Sequence, residues 1–262
     1  MLKIATPISH LFLNKKNAKQ IIKHSDCLEI REKNLFLNYK NESLFHLDHD
    51  IIHPWSNTFK NELQKILKKK TKIKLITFQA TRCCKAYFVK NGKFKFSGYA
   101  FSRDQMLKFA KRNIFWLRKN LKKGVKIGVE NNNYYSSKAY KYVTDANFIK
   151  KIVVENKIYF LLDIAHAIIT AYNRKINFFN YLYSLPLNRT IQIHICCPSK
   201  DNKNNILIDS HLRPNKKMID LVIKIIKKFK KIEYLTIEYY KDINVLIKSI
   251  ITLRKAINKN GL

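Results

Sequence analysis

A chain of 262 residues with 46% hydrophobic and 12% aromatic side chains can bury a full core, which excludes a disordered segment and suits one α/β barrel of about 250 residues. Five glycines and five prolines exclude long flexible linkers, and no repeat recurs at a fixed spacing, which excludes a solenoid. The net charge of +34 admits nucleic acid as a partner, but the basic runs at 68–70, 118–123, 150–151 and 227–231 fall mostly on polar helix faces, with no arginine-rich tract or stacking motif. A general lysine excess therefore reads better than a nucleic-acid interface.

The first residues, MLKIATPISHLFLNKK, carry no long apolar run behind a basic head. No stretch reaches the roughly 18 apolar residues of a membrane span. The expectation is a cytoplasmic protein with no membrane partner. Its five cysteines, Cys27 and the adjacent pairs Cys83–Cys84 and Cys196–Cys197, lack the C-x-x-C spacing of zinc ribbons or thioredoxin sites and read as free thiols.

Along the chain, short β-branched runs alternate with amphipathic helical stretches, the signature of parallel strands joined by helices. Strands are expected at 2–9, 27–32, 49–54, 73–80, 126–131, 159–166, 191–197 and 234–240. Helices are expected at 102–121, 145–156, 214–230 and 242–258, with Met106, Phe109, Ile114 and Leu117 at helical spacing in the first. The segment 33–48 holds at most a short helix or a loop. Eight strands with eight connections predict a single (β/α)₈ TIM-barrel domain over 1–262.

Reactive groups in such a barrel gather at the C-terminal ends of the strands. Glu29 and Glu32 end the second expected strand, His53 the third, Glu130 the fifth, and Asp163 and His166 the sixth. His194 lies on the seventh, Asp209 and His211 on the loop after it, and Glu238 on the eighth. Only 18 acidic residues exist in the chain, so this concentration at strand ends is selective. A carboxylate inside an apolar run such as FLLDIAH costs several kcal/mol unless paired or metal-bound. Carboxylates and imidazoles together suit iron, manganese or zinc over magnesium or calcium. Glu29 and Glu32 read equally as supporting groups, and His10, His24, His46 and His49 are read as structural.

The strings LEIREKN, IIHPW, IGVENNNYY, FLLDIAHAIITAYN, IQIHICC, IDSHLRP and TIEYY occur in the order found in the multinuclear non-heme iron-dependent oxidative enzymes. The chain resembles these methanobactin-synthase-like barrels of the xylose-isomerase-like superfamily over about residues 2–258. The resemblance implies His53, Glu130, Asp163, His166, His194, Asp209, His211 and Glu238 as metal ligands, with Asn131 and Asn173 as polar support. It implies two or three iron ions (zinc or manganese being the alternatives) and a cysteine-containing precursor peptide oxidised with dioxygen. Many members of that family also need a small protein that presents the peptide. One departure is Gln79, in TFQATRCC, where the family usually has a histidine; a neutral amide leaves the number of metals open, and Cys83 or Cys84 could substitute if the loop curls back. The superfamily also contains abasic-DNA endonucleases and sugar isomerases or epimerases, which stand as alternative functions.

Overall fold

The computed structural model describes residues 2–90 and 93–262. Its strands are β1 (Lys3–Pro7), β2 (Cys27–Arg31), β3 (Glu42–Asp50), β4 (Leu75–Gln79), β5 (Cys84–Lys90), β6 (Lys93–Ala100), β7 (Lys126–Glu130), β8 (Tyr159–Asp163), β9 (Thr190–Ile195), β10 (Cys197–Asp201), β11 (Ile206–Leu212) and β12 (Tyr234–Ile237). The helices are α1 (Lys15–His24), α2 (Asn57–Lys69), α3 (Arg103–Asn120), α4 (Ala146–Glu155), α5 (Ile164–Arg174), α6 (Phe178–Ser184), α7 (Lys216–Lys228) and α8 (Ile243–Lys259). Eight strands close a parallel barrel in the order β1-β12-β9-β8-β7-β4-β3-β2, as the alternation of strand and helix signals predicts. Two antiparallel hairpins, β5–β6 and β10–β11, are inserted after β4 and β9. Both therefore rise from the C-terminal face. Among the described residues no helix is long and apolar enough to cross a membrane.

Seven barrel strands lie where expected to within a few residues, but the third does not. In place of the expected strand at 49–54, β3 occupies Glu42–Asp50 and residues 51–53 form a turn. Lys70, at the end of α2, donates to both oxygens of Glu42 (3.1 and 2.9 Å) and to Asn38 (2.7 Å), fixing the earlier start of β3. The expected sixth strand is also too long. Asp163 ends β8 and caps α5, accepting from the His166 backbone N–H at 2.7 Å, so His166 lies on the first turn of a helix.

Strand alternation sorts the barrel into an outer and an inner face. Outward residues such as Ile30, Phe45, Phe78, Val129, Phe160 and Ile193 are buried beneath the helices. Inward residues change character along the axis. Ala5, Cys27, Leu44, Leu75, Ile191 and Tyr234 form an apolar floor. Above it stand the polar side chains of Glu29, His46, Thr77, Gln192, His194 and Thr236, all at most 1% exposed. Gly128 belongs to this interior. A Cβ there would come within 3.0 Å of Thr77 Cγ2, and Thr77 is held by a 2.9 Å hydrogen bond between its hydroxyl and His46 Nδ1. Gly128→Ala is therefore expected to cost about 1–3 kcal/mol of overpacking, measured by denaturant titration. A neutral result would show that Thr77 can move without loss.

Candidate metal centre

The polar layer continues upward into a cavity of about 540 Å³ at the C-terminal mouth, lined among others by Arg31, His46, Gln79, Glu130, His166, Asp209, His211, Glu238 and Tyr240. His194 is its hub. Nδ1 lies 2.9 Å from Glu130 and 3.4 Å from Glu238, and Nε2 lies 3.0 Å from Glu29. Gln192, two residues earlier on the same face, donates its amide to Glu29 and to Thr236 (2.8 Å). Arg31, at the end of β2, pairs with both Glu29 and Glu238.

A second lobe is built by β8, α5 and the β10–β11 hairpin. His166 Nε2 stands 3.3 Å from Asp209 and 3.8 Å from Asp163. Its Nδ1 lies 2.8 Å from the Asn131 carbonyl, and in the tautomer that donates there, Nε2 keeps a free lone pair. This second hydrogen bond is the usual device for orienting a metal-binding imidazole. Asn131 also exchanges two 2.9 Å hydrogen bonds with the Asp163 backbone, locking β7 to β8 just below the carboxylate. His211 adopts φ +44° inside β11, a left-handed conformation that costs an imidazole-bearing residue about 1–2 kcal/mol. Its Nε2 lies 3.5 Å from Asp209 and 3.6 Å from Glu238, with the ring against Tyr240.

Three groups of donors stand close enough to share a cation: Glu29–His194–Glu238, Glu130–Asp163–His166 and Asp163–Cys196–Glu238, all buried. The test of fit is hydrogen bonding. His46 Nε2, Asp163 Oδ2 and Asp209 Oδ1 are buried and have no hydrogen-bond partner among the described residues. Buried polar atoms without partners cost about 1–3 kcal/mol each; His46 and Asp209 line the cavity and Asp163 belongs to two of the donor groups, so the cluster can hold metal ions.

Electrostatics within the cluster are strongly polarised. Burial opposes ionisation of Glu29, but Arg31 and His194 overcome it and hold its carboxyl at about 2. Burial likewise opposes the charge on Glu238, yet His194 and Arg31 keep it well below the usual carboxylate range. Asp163 goes the other way. Burial, with Glu238 and Glu130 nearby, pushes it up to about 8 despite His166. Burial disfavours the charged imidazole of His166, but Asp163 and Asp209 raise its pKa. His46 is kept neutral by burial and Arg31, which outweigh Glu130 and Glu29.

Of the residues singled out in the sequence, Glu130, Asp163, His166, His194, Asp209, His211 and Glu238 come together, with Glu29 among them and Gln79 on the cavity wall. His53 does not join them. Because β3 ends at Asp50, His53 falls in the turn beyond it, its Nε2 2.8 Å from the Arg82 carbonyl and its ring against Phe101. The imidazole that β3 supplies is His46, 3.5 Å from Glu130 and 5.3 Å, ring to ring, from His194. Its inward place follows from the Leu44–His46 alternation once the strand is set correctly. Glu32 stands beside Asp48, outside the cluster. Asn173 acts further out, bonding Tyr134 and Leu207 and so fixing β11. Cys83 is buried against the Lys138 carbonyl and Cys84 begins the β5–β6 hairpin, so neither replaces Gln79. Arg31 was legible only as part of LEIREKN.

The closed parallel barrel with helices between its strands is a TIM barrel. Solved structures with this fold include D-psicose 3-epimerase from Clostridium cellulolyticum H10 (11% identity, 98% of this chain and 99% of that one, TM-score 0.61). A xylose isomerase-like TIM barrel protein from Mycobacterium smegmatis, in complex with magnesium (9%, 99% and 98%, 0.60), shares it too. So does endonuclease IV from Thermus thermophilus (10%, 98% and 99%, 0.60). Identities this low speak to fold alone. No curated protein matches the sequence. Residues 100–257 match the family described as RiPP precursor modification enzyme MbnB/TglH/ChrH, and the chain belongs to that family.

A proton on Asp163 competes with any cation. With its pKa raised in the fold to about 8, the metal-free chain has this group's contribution in full below the ordinary carboxylate value of about 4 and loses it as pH rises to about 8. Thermal melts in chelator are expected to fall across that window, and Asp163→Asn to flatten the slope. Identical slopes in both proteins would contradict the assignment.

Proposed function

We propose that this enzyme oxidatively modifies cysteine residues in a ribosomally made precursor peptide, using two or three iron ions and dioxygen. The observation that carries this reading is the set of converging, buried and unpartnered oxygen and nitrogen donors in a chain of the peptide-modifying family. Glu130, Asp163, His166, His194, Asp209, His211 and Glu238 would hold the metal, with His46 in the place first given to His53. Carboxylates with imidazoles favour iron, zinc or manganese over magnesium. Bound iron would supply the redox chemistry with dioxygen.

The chain's own residues supply the rest. Arg31 keeps Glu29 and Glu238 ionised while limiting the charge pooled in the cavity. Tyr240 donates to Glu238 at 3.2 Å, and Asn131 orients both Asp163 and His166. The apolar floor closes the barrel from below, so a substrate side chain enters only from the mouth. A peptide reaching over that mouth would meet the β10–β11 hairpin, whose Asp209 and His211 line the cavity, and a small presenting protein is the partner that the family resemblance implies. The alternative functions, cutting abasic DNA or epimerising a sugar, are supported by fold similarity alone.

Anaerobically purified protein is expected to contain iron and to consume dioxygen only when a cysteine-containing peptide is added. Zinc alone, with no turnover after iron reconstitution, would remove the proposal, and cleavage of an abasic oligonucleotide would favour the nuclease. Gln192→Met, which preserves volume but removes the amide behind Glu29, should weaken metal binding about 10–100-fold. This can be followed by competition with a chromophoric chelator. Gln79→His is expected to raise the metal bound per chain if that position is a lost ligand, and to lower turnover if the glutamine is adapted to its place.

A further inference from the structure

The adjacent cysteines that follow β9 are not equivalent. Alternation places Gln192 and His194 inside the barrel, and Cys196 continues that inner series while Cys197 begins the hairpin and is partly exposed. Cys196 is fully buried. Its Sγ stands within 4.8 Å of a carboxylate oxygen of Asp163 and of one of Glu238, which are equally close to each other. The second independent observation is Asp163 itself, fully buried, with Oδ2 lacking any hydrogen-bond partner among the described residues. Its other oxygen is spent on capping α5.

We infer that Cys196 is a protein-derived thiolate ligand to one metal ion of the centre, shared with Asp163 and Glu238. This deepens the metal-centre reading and rests on it. Two buried carboxylates and a thiol offer one another little attraction, whereas a cation among them turns all three into ligands. Bonds of about 2.0–2.3 Å allow donor atoms of one ion to stand about 3–4.5 Å apart, so a spacing within 4.8 Å needs at most slight contraction. As the metal–sulfur bond forms, the S–H bond breaks and its proton leaves to solvent. A donor set of two oxygens and one sulfur selects a borderline ion such as Fe(II), Co(II) or Zn(II) against Mg(II) or Ca(II). The ion held this way therefore carries a sulfur donor before any substrate thiol arrives.

Metal-free full-length protein titrated with Co(II) alone, without oxygen or peptide, tests this by absorption. The wild type is expected to show an intense sulfur-to-cobalt charge-transfer band in the near ultraviolet together with weaker visible ligand-field bands. Cys196→Ala, and the nearly isosteric Cys196→Ser, should lose the charge-transfer band and keep visible bands from the remaining donors. Cys197→Ala should keep both. Visible bands in the wild type without a charge-transfer band, or a band that survives in both Cys196 variants, would overturn the thiolate assignment and leave the metal centre standing. Absence of any Co(II) binding by the wild type would remove the centre and the thiolate together.

Discussion

Everything at the mouth of this barrel depends on burying several carboxylates close together. Glu29, Glu130, Asp163 and Glu238 are each at most 3% exposed, and an isolated ion at such a depth costs several kcal/mol. Arg31 neutralises only part of the charge, because one guanidinium spans Glu29 and Glu238 and does not reach Asp163. The imidazoles of His194 and His166 supply the rest only by taking up protons. Cations and protons thus compete for the same lone pairs, and the unpartnered atoms mark where the proton solution falls short. The apolar floor makes this competition sharp, since it keeps water and its screening out from below.

How much of this was readable in the sequence follows from which rules act locally. Buried parallel strands are continuous apolar runs, so LITFQ, KIGVE and YFLLD announced themselves. The acidic residue closing each of the last two runs lay where a barrel puts its chemistry. The third strand defeated this reading because ESLFHLDHD has only three apolar residues, in no regular alternation, and no β-branched side chain. Its start is set by Lys70, 28 residues away, reaching into Glu42. Moving the strand exchanged His53 for His46 in the cluster. The hairpins were missed for a related reason: neither forms part of the barrel, and CPSKD and ILIDSHL pair only with each other. His211 reached its place through a left-handed backbone angle that no periodicity reveals. Residues in capping or tight turns, by contrast, behaved as local chemistry dictates, with Ser102 and Gln105 forming a capping box at the start of α3.

Similarity to known proteins divides along the same line. Epimerases and endonuclease IV share the barrel over nearly its whole length at about a tenth identity, which is what an architecture reused for many reactions produces. Closure of the eight-stranded barrel belongs to that architecture. The features that separate one chemistry from another lie in the side chains and insertions around the mouth. In this chain the mouth carries Arg31 between two carboxylates, the β10–β11 hairpin with Asp209 and His211, and a buried thiol beside Asp163.

The overall charge takes on a different meaning once the cluster is located. Five of the 18 acidic residues, Glu29, Glu130, Asp163, Asp209 and Glu238, are committed to the cavity, so the outer surface is still more basic than the composition suggests. The N-terminal end of the barrel carries a separate depression of about 720 Å³ where Lys40, Lys72, Lys74, Lys122, Lys123 and Lys126 outnumber Asp26, Glu42 and Glu233. The molecule is therefore an acidic pocket within a basic shell. Such a shell repels free cations at long range and attracts anionic partners, whereas short-range coordination holds cations once they are inside. Any affinity for metal would then come largely from the geometry of the donors, and that geometry is set by strand register, by Asn131 and Gln192 beneath them, and by the left-handed backbone at His211 above them.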